Sequence, residues 1–223
     1  MILPINCLYL PRLYSTYMTI TTLIIIVTSF FSVIAFQGNS LLPENLRRPE
    51  WTDKYKFNAY LIWHERQFVR LFGHGLIHAN LMHLVFNMIT LYCFGEGLEI
   101  LFSAYSGSTL IGKLLFLLLY VTALPVSSLW DLFRHRDHSY YNAVGASGAV
   151  SAVLFSVIVF IPDVPIYFMF IPVPIPGWIF AILYLVFCIY MDRKGIDNIG
   201  HSAHFMGSIY GLVFTLLTKL ILV

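Results

Sequence analysis

Apolar residues in this chain gather into six runs, at residues 17–36, 78–94, 110–130, 143–161, 175–191 and 199–223, each bracketed by charged or turn-forming residues. Runs of roughly 20 residues with few charges predict helices that cross a bilayer. The segment 162–176 is also apolar. It carries Asp163 and five prolines (Pro162, Pro165, Pro172, Pro174, Pro176), which discourage a continuous helix, so it reads as an interfacial connection entering the fifth run. The connection 37–77 is long and mixes charges with Trp51, Tyr55, Phe57, Tyr60, Trp63, Phe68 and Phe72. That aromatic load suits a segment lying in the membrane interface better than a free aqueous loop.

Composition agrees. Hydrophobic residues make up 59% of the 223 and charged residues 11%, against about 45–50% and about 25% in a soluble domain. Such an excess cannot be hidden in a soluble core of this size. The thirteen Lys and Arg are scattered and the net charge is only +2, so no nucleic-acid footprint is present. Cys7, Cys93 and Cys188 are far apart and give neither a metal spacing nor a disulfide framework. Only Arg12 precedes the first run, which exceeds a signal-peptide core and lacks a small-residue cleavage site after it, so it is expected to be retained. The expected organisation is a short N-terminal segment, residues 1–16, followed by one all-α, polytopic unit over 17–223.

In a six-span bundle the second, fourth and sixth spans start on one face. The residues that are costly in lipid collect near those starts: His78, His83 and Asn87, then Ser147, then His201 and His204. A rise of about 1.5 Å per residue puts Ser147 roughly 7 Å below Asn142 and His204 at a similar depth below Asn198. Ser139 to Asn142 offers a helix cap and Gly145-Ala146-Ser147-Gly148 follows. A serine in a first helical turn lies beside unpaired backbone N–H groups and the positive end of the helix dipole, where an oxyanion is stabilised. Gly145 and Gly148 would let a substrate backbone come close. Read alone, the run fits a helix-packing surface better, as small-residue runs in membrane helices usually do. In the sixth span Gly200, His204, Gly207 and Gly211 form one helical stripe, so His204 would lie in a groove that admits a neighbouring helix. If that neighbour is the fourth span, the imidazole reaches Ser147 and can take its proton. His83 and Asn87, four apart on one face, are candidate oxyanion donors or simple interhelical ties. No Asp or Glu lies in the sequence near the level of Ser147 and His204, so a dyad is expected.

These residues resemble the rhomboid intramembrane serine proteases. The resemblance runs through Arg70-Leu71-Phe72 with His74, then His78-x-x-x-x-His83-x-x-x-Asn87, Gly95-x-x-x-Glu99, Gly145-Ala146-Ser147-Gly148 and Ala203-His204-x-x-Gly207 with Gly211, an ordered set over about residues 60–215. It implies a six-span bacterial-type bundle whose first loop is membrane-embedded and whose fifth span is a lateral gate. It implies Ser147 as nucleophile, His204 as base and acid, and His83, Asn87 and the Ser147 N–H around the oxyanion. It further implies membrane-protein substrates, single-span or polytopic, cut in or near a transmembrane segment, with no cofactor or metal. The expected location is a bacterial cytoplasmic membrane. Rhomboids commonly have Trp where Val69 stands here. His201 lies outside both the glycine stripe and the Ala-His-x-x-Gly match.

Charge conflicts with the orientation that the resemblance implies. The face holding the starts of the second, fourth and sixth spans carries ten Lys and Arg, the other three, and cytoplasmic loops ordinarily carry the excess. The family orientation is adopted because an embedded first loop is not a translocated one. Two other functions stand beside proteolysis: an inactive rhomboid-like protein that binds membrane clients, and a histidine-box di-iron oxidase using His74, His78, His83, His201 and His204. A transporter would show inverted halves, and none is detected.

Overall fold

The computed structural model describes residues 18–36, 42–168, 171–197 and 199–222. In chain order the elements are α1 (Ile20–Ala35), α2 (Glu50–Tyr55), β1 (Phe57–Asn58), α3 (Ala59–His64), α4 (Arg70–Gly73), α5 (Leu81–Ser106), α6 (Thr109–Ser127), α7 (Leu129–Arg134), β2 (Asn142–Ala143), α8 (Ser147–Phe160), β3 (Pro165–Phe168), β4 (Ile171–Pro176), α9 (Gly177–Lys194) and α10 (His201–Ile221). The chain is an all-α membrane bundle in which α1, α5, α6, α8, α9 and α10 occupy the six predicted runs. Among the described residues three stretches are long and apolar enough to cross a membrane by themselves: α5, α6 with α7, and α10.

The central helix is α8. It is apolar on every side, and every residue from Gly148 to Ile158 is buried, as expected of a helix wrapped by protein rather than lipid. Its 14 residues span only about 21 Å, shorter than a hydrocarbon core of about 30 Å. The predicted start at residue 143 is corrected. Residues 142–143 are extended, pairing with β1 in the register Phe57↔Ala143 and Asn58↔Asn142, and Asn58 Nδ2 donates to the Ser139 carbonyl at 2.9 Å. Ser139 to Asn142 therefore caps nothing, and Ser147 opens a short helix that follows an extended lead-in. Asn198 lies outside the described residues.

Two other boundaries move for physical reasons. The second span continues past residue 94 to Ser106 because Gly95 and Glu99 are buried and the half-buried Glu96 accepts from the hydroxyls of Thr19 (3.2 Å) and Thr22 (3.3 Å). Buried Glu99 accepts from the Thr21 N–H (2.8 Å) and hydroxyl (2.6 Å), tying the start of α1 to α5. A Cβ at Gly95 would lie 2.6 Å from Thr21 Oγ1, so the glycine makes room for that contact. The third span ends at Ser127, two residues after Pro125, and the chain restarts as α7. The segment 162–176 is an antiparallel hairpin, β3–β4, where a simple connection was expected.

The first loop is built into the bundle where it is described. Arg70, buried, donates from its guanidinium to the carbonyls of Asp53 (2.7 Å) and Lys56 (2.9 Å), joining α4 to α2. Thr52 donates to Ala35 at the end of α1 at 3.0 Å, and Trp51 packs on Phe31.

Candidate active site

Three helix starts converge, as parity requires. α8 and α10 meet backbone to backbone: a Cβ at Gly207 would strike the carbonyl of Gly148, and one at Gly211 that of Ala152. On its other side Gly148 is filled by Ser127 of α6, and the Ala203 carbonyl lies 3.2 Å from where its Cβ would stand. The helix turns bearing Ser147 and His204 are thus brought against each other. Among the described residues Gly200, the N-cap of α10, meets only Ala203 Cβ at 3.8 Å and makes no close helix contact, which shortens the expected stripe to Gly207 and Gly211. Of the two roles expected for Gly145 and Gly148, substrate approach and packing, the contacts present are packing contacts. Both are occupied by the protein itself, Gly145 with φ +116° and its Cβ position 2.6 Å from His83 Cε1.

Ser147 is the first residue of α8, and no side chain caps this helix. The orphan N–H groups of its first turn are therefore free to meet a developing anion. The lead-in is held by two histidines, His74 and His78, that the sequence pattern marks only as motif members. His74 accepts the Gly145 N–H on its own carbonyl at 2.9 Å, while its Nδ1 lies 3.2 Å from the Gly145 carbonyl. His78 Nε2 accepts the Ala146 N–H at 3.4 Å, and its Nδ1 lies 2.9 Å from Ser32 Oγ, whose hydroxyl is in reach of the Leu76 carbonyl at 2.8 Å. That chain of donors fixes the neutral Nδ1–H form of His78, and burial pushes its pKa down to about 3.

His83 packs on Gly145 and on the His78 ring, 5.0 Å between centroids. Asn87 is buried and donates one amide hydrogen to the His83 carbonyl at 2.9 Å, leaving a second. Among the described residues no hydrogen bond joins Ser147 to His204. Apo catalytic contacts are often open in this way. The His204 ring faces Tyr184 of α9 at 6.4 Å, nearly parallel, and α9 also sets Phe187 on His201.

Carboxylates come closer than the sequence suggests. Asp131, buried on α7, accepts from Ser202 at 2.7 Å, and Asp197 faces His201 Nε2 at 3.1 Å. Neither bonds His204. Asp131 is remote in sequence from α10, and no local pattern announces the contact. Ligand geometry also departs from an iron box: among the described residues the three-member group within ligand reach is Cys188, His201 and His204, without His74, His78 or His83.

The family profile described as Rhomboid domain matches residues 65–220. This chain belongs to the rhomboid family. Similar proteins include RHOMBOID-like protein 12, mitochondrial, of Arabidopsis thaliana, 31% identical over 137 residues, which are 59% of this chain and 40% of that protein. Rhomboid-like protein 14, mitochondrial, of the same plant is 29% identical over 161 residues, 71% of this chain and 46% of that protein. This rhomboid spans less than half the length of the curated relatives it matches. The matched region contains α5 through α10 up to Leu220, and hence every candidate site residue.

Proposed function

We propose that this rhomboid is an intramembrane serine endopeptidase acting through a Ser147–His204 dyad on membrane proteins, cutting in or near a transmembrane segment. The observation carrying the reading is the position of Ser147, at the uncapped start of a short, buried helix whose backbone touches the turn that bears His204. His204 takes the hydroxyl proton as Ser147 attacks the scissile carbonyl, then delivers it to the leaving amine. The Ser147 N–H, with His83 and Asn87, stabilises the oxyanion, and water then hydrolyses the acyl-enzyme. Water enters from the face where the three helices start.

A client-binding protein without activity is the second reading, favoured by the open Ser147–His204 pair. The expected membrane is a bacterial cytoplasmic one, while the names of the two plant relatives favour a mitochondrial one; fractionation of the tagged chain from its own cells decides. For activity, detergent-solubilised wild type should cleave a single-span model substrate, and S147A and H204A should not. H83A and N87A should lose on the order of tenfold to a thousandfold. Cleavage surviving in S147A excludes the dyad, and unchanged rates in both H83A and N87A remove them from the site.

A further inference from the structure

Cys188 on α9 and His201 and His204 on α10 each offer one ligand atom, and the three atoms lie within 4.8 Å of one another. His201 is 4% exposed, and its Nδ1 has no hydrogen-bond partner among the described residues. Its other nitrogen, Nε2, faces both carboxylate oxygens of Asp197 at 3.1 Å. An imidazole whose one nitrogen is held by a carboxylate while the other is buried and idle is arranged as a metal ligand, with the carboxylate fixing the ring and raising its basicity. A buried polar atom is rarely left unpaired otherwise.

We propose that Cys188, His201 and His204 form a regulatory site for a borderline-soft divalent ion of the zinc type, which silences the protease by occupying the nitrogen of its base. Thiolate and imidazole exclude magnesium and calcium, which take oxygen ligands, and favour zinc. Metal–ligand bonds of about 2.0–2.3 Å in a tetrahedron put ligand atoms about 3.5 Å apart, so closure by about 1 Å suffices, and three protein ligands leave a fourth position for water. The Cys188 thiol gives up its proton to solvent on binding. Access is provided: a polar cavity lined by Asp131, Arg134, Asp192, Asp197, His201 and Ser202 opens beside the group; Arg134 pairs with Asp192 at 2.8 Å, which leaves the Asp197 carboxylate beside His201 to attract a cation. Two of the ligands come from α10 and the third from α9, so the ion also pins these helices together. The binding site stands on this geometry alone; the silencing rests on the dyad proposed above.

Binding and silencing are tested separately on the detergent-solubilised full chain. Cobalt, used as a spectroscopic stand-in, should bind at one ion per chain with a thiolate-to-cobalt charge-transfer band, and zinc should displace it. The band should persist in C7S/C93S and vanish in C188A, and H201A should weaken binding at least about tenfold. Zinc should inhibit cleavage and a chelator should restore it, while C188A cleaves normally without zinc and needs at least about tenfold more zinc for inhibition. No charge-transfer band in the wild type, or one unaltered in both C188A and H201A, overturns the site even if a variant folds poorly. A band without any metal-free cleavage leaves the site standing and removes the protease reading. Cleavage unaffected by bound zinc overturns the silencing.

Discussion

At the scale of single residues, the lead-in to Ser147 depends on histidines that stay neutral. His78 presents Nε2 to the Ala146 N–H as an acceptor. Protonation would turn that nitrogen into a donor facing a donor, at a buried position. Burial lowers the pKa of His74 as well, and that of His78 to about 3, from an ordinary value of about 6.5. A histidine depressed in the folded state leaves the unfolded chain binding more protons between those values. Its contribution to stability is therefore complete above about pH 6.5 and is lost as pH falls toward 3. The thermal midpoint of the solubilised protein should drop steadily below pH 6.5, with a shallower slope in H78Q. A midpoint flat between pH 7 and pH 4 contradicts the arrangement. Residue-level reading of the sequence reached Ser147, His204, His83 and Asn87 because each sits in a short local pattern. Asp131, Ser127 and Cys188 carry no such pattern. They enter the neighbourhood through helix packing, as single residues on otherwise apolar surfaces.

At the scale of elements, the site depends on how closely α8 and α10 approach. Gly207 and Gly211 replace side chains with contact to the carbonyls of Gly148 and Ala152, backbone atoms that cannot rotate away. A larger residue must push the helices apart, at about 1–3 kcal/mol of overpacking or more, and the same displacement carries His204 away from Ser147. Gly207→Val should therefore lower the thermal midpoint and reduce cleavage measured well below that midpoint. Gly200→Ala should leave both unchanged, since Gly200 has φ −74° and only Ala203 Cβ at 3.8 Å. Equal behaviour of the two variants would mean that the close approach is incidental. Hydropathy located the six main helices but misjudged their ends wherever polar residues were spent inside the protein. Glu99 looked like an exit from the membrane and is instead the buried acceptor for the start of α1. The stretch 142–146 looked like the first turns of a helix, yet its hydrogen bonds run to β1, His74 and His78.

At the scale of the whole molecule, the remaining question is which way the site faces, and the fold changes how the charges should be counted. The positive-inside rule applies to short loops that the insertion machinery meets as free chain. Six of the ten Lys and Arg on the site's face belong to the first loop, and that loop is not free. Its α4 is tied to α2 through Arg70, α2 to α1 through Thr52, and β1 to the strand before Ser147. A loop that folds against the bundle is positioned by packing, so its charges say little about translocation. Set aside, they leave four cations on the site's face against three on the other, which is no bias at all. The charges then no longer oppose the orientation implied by the rhomboid resemblance, in which the site should open on the extracytoplasmic side. Single cysteines in a chain carrying C7S, C93S and C188S report this directly: Tyr140 is 76% exposed on the site's face, and Gly107, in the turn between α5 and α6, has nothing within 4 Å of its Cβ position. In intact cells a membrane-impermeant maleimide should label Tyr140→Cys and spare Gly107→Cys until the membrane is opened. The reverse pattern would put the site on the cytoplasmic side, and the ten cations would then have oriented the protein after all.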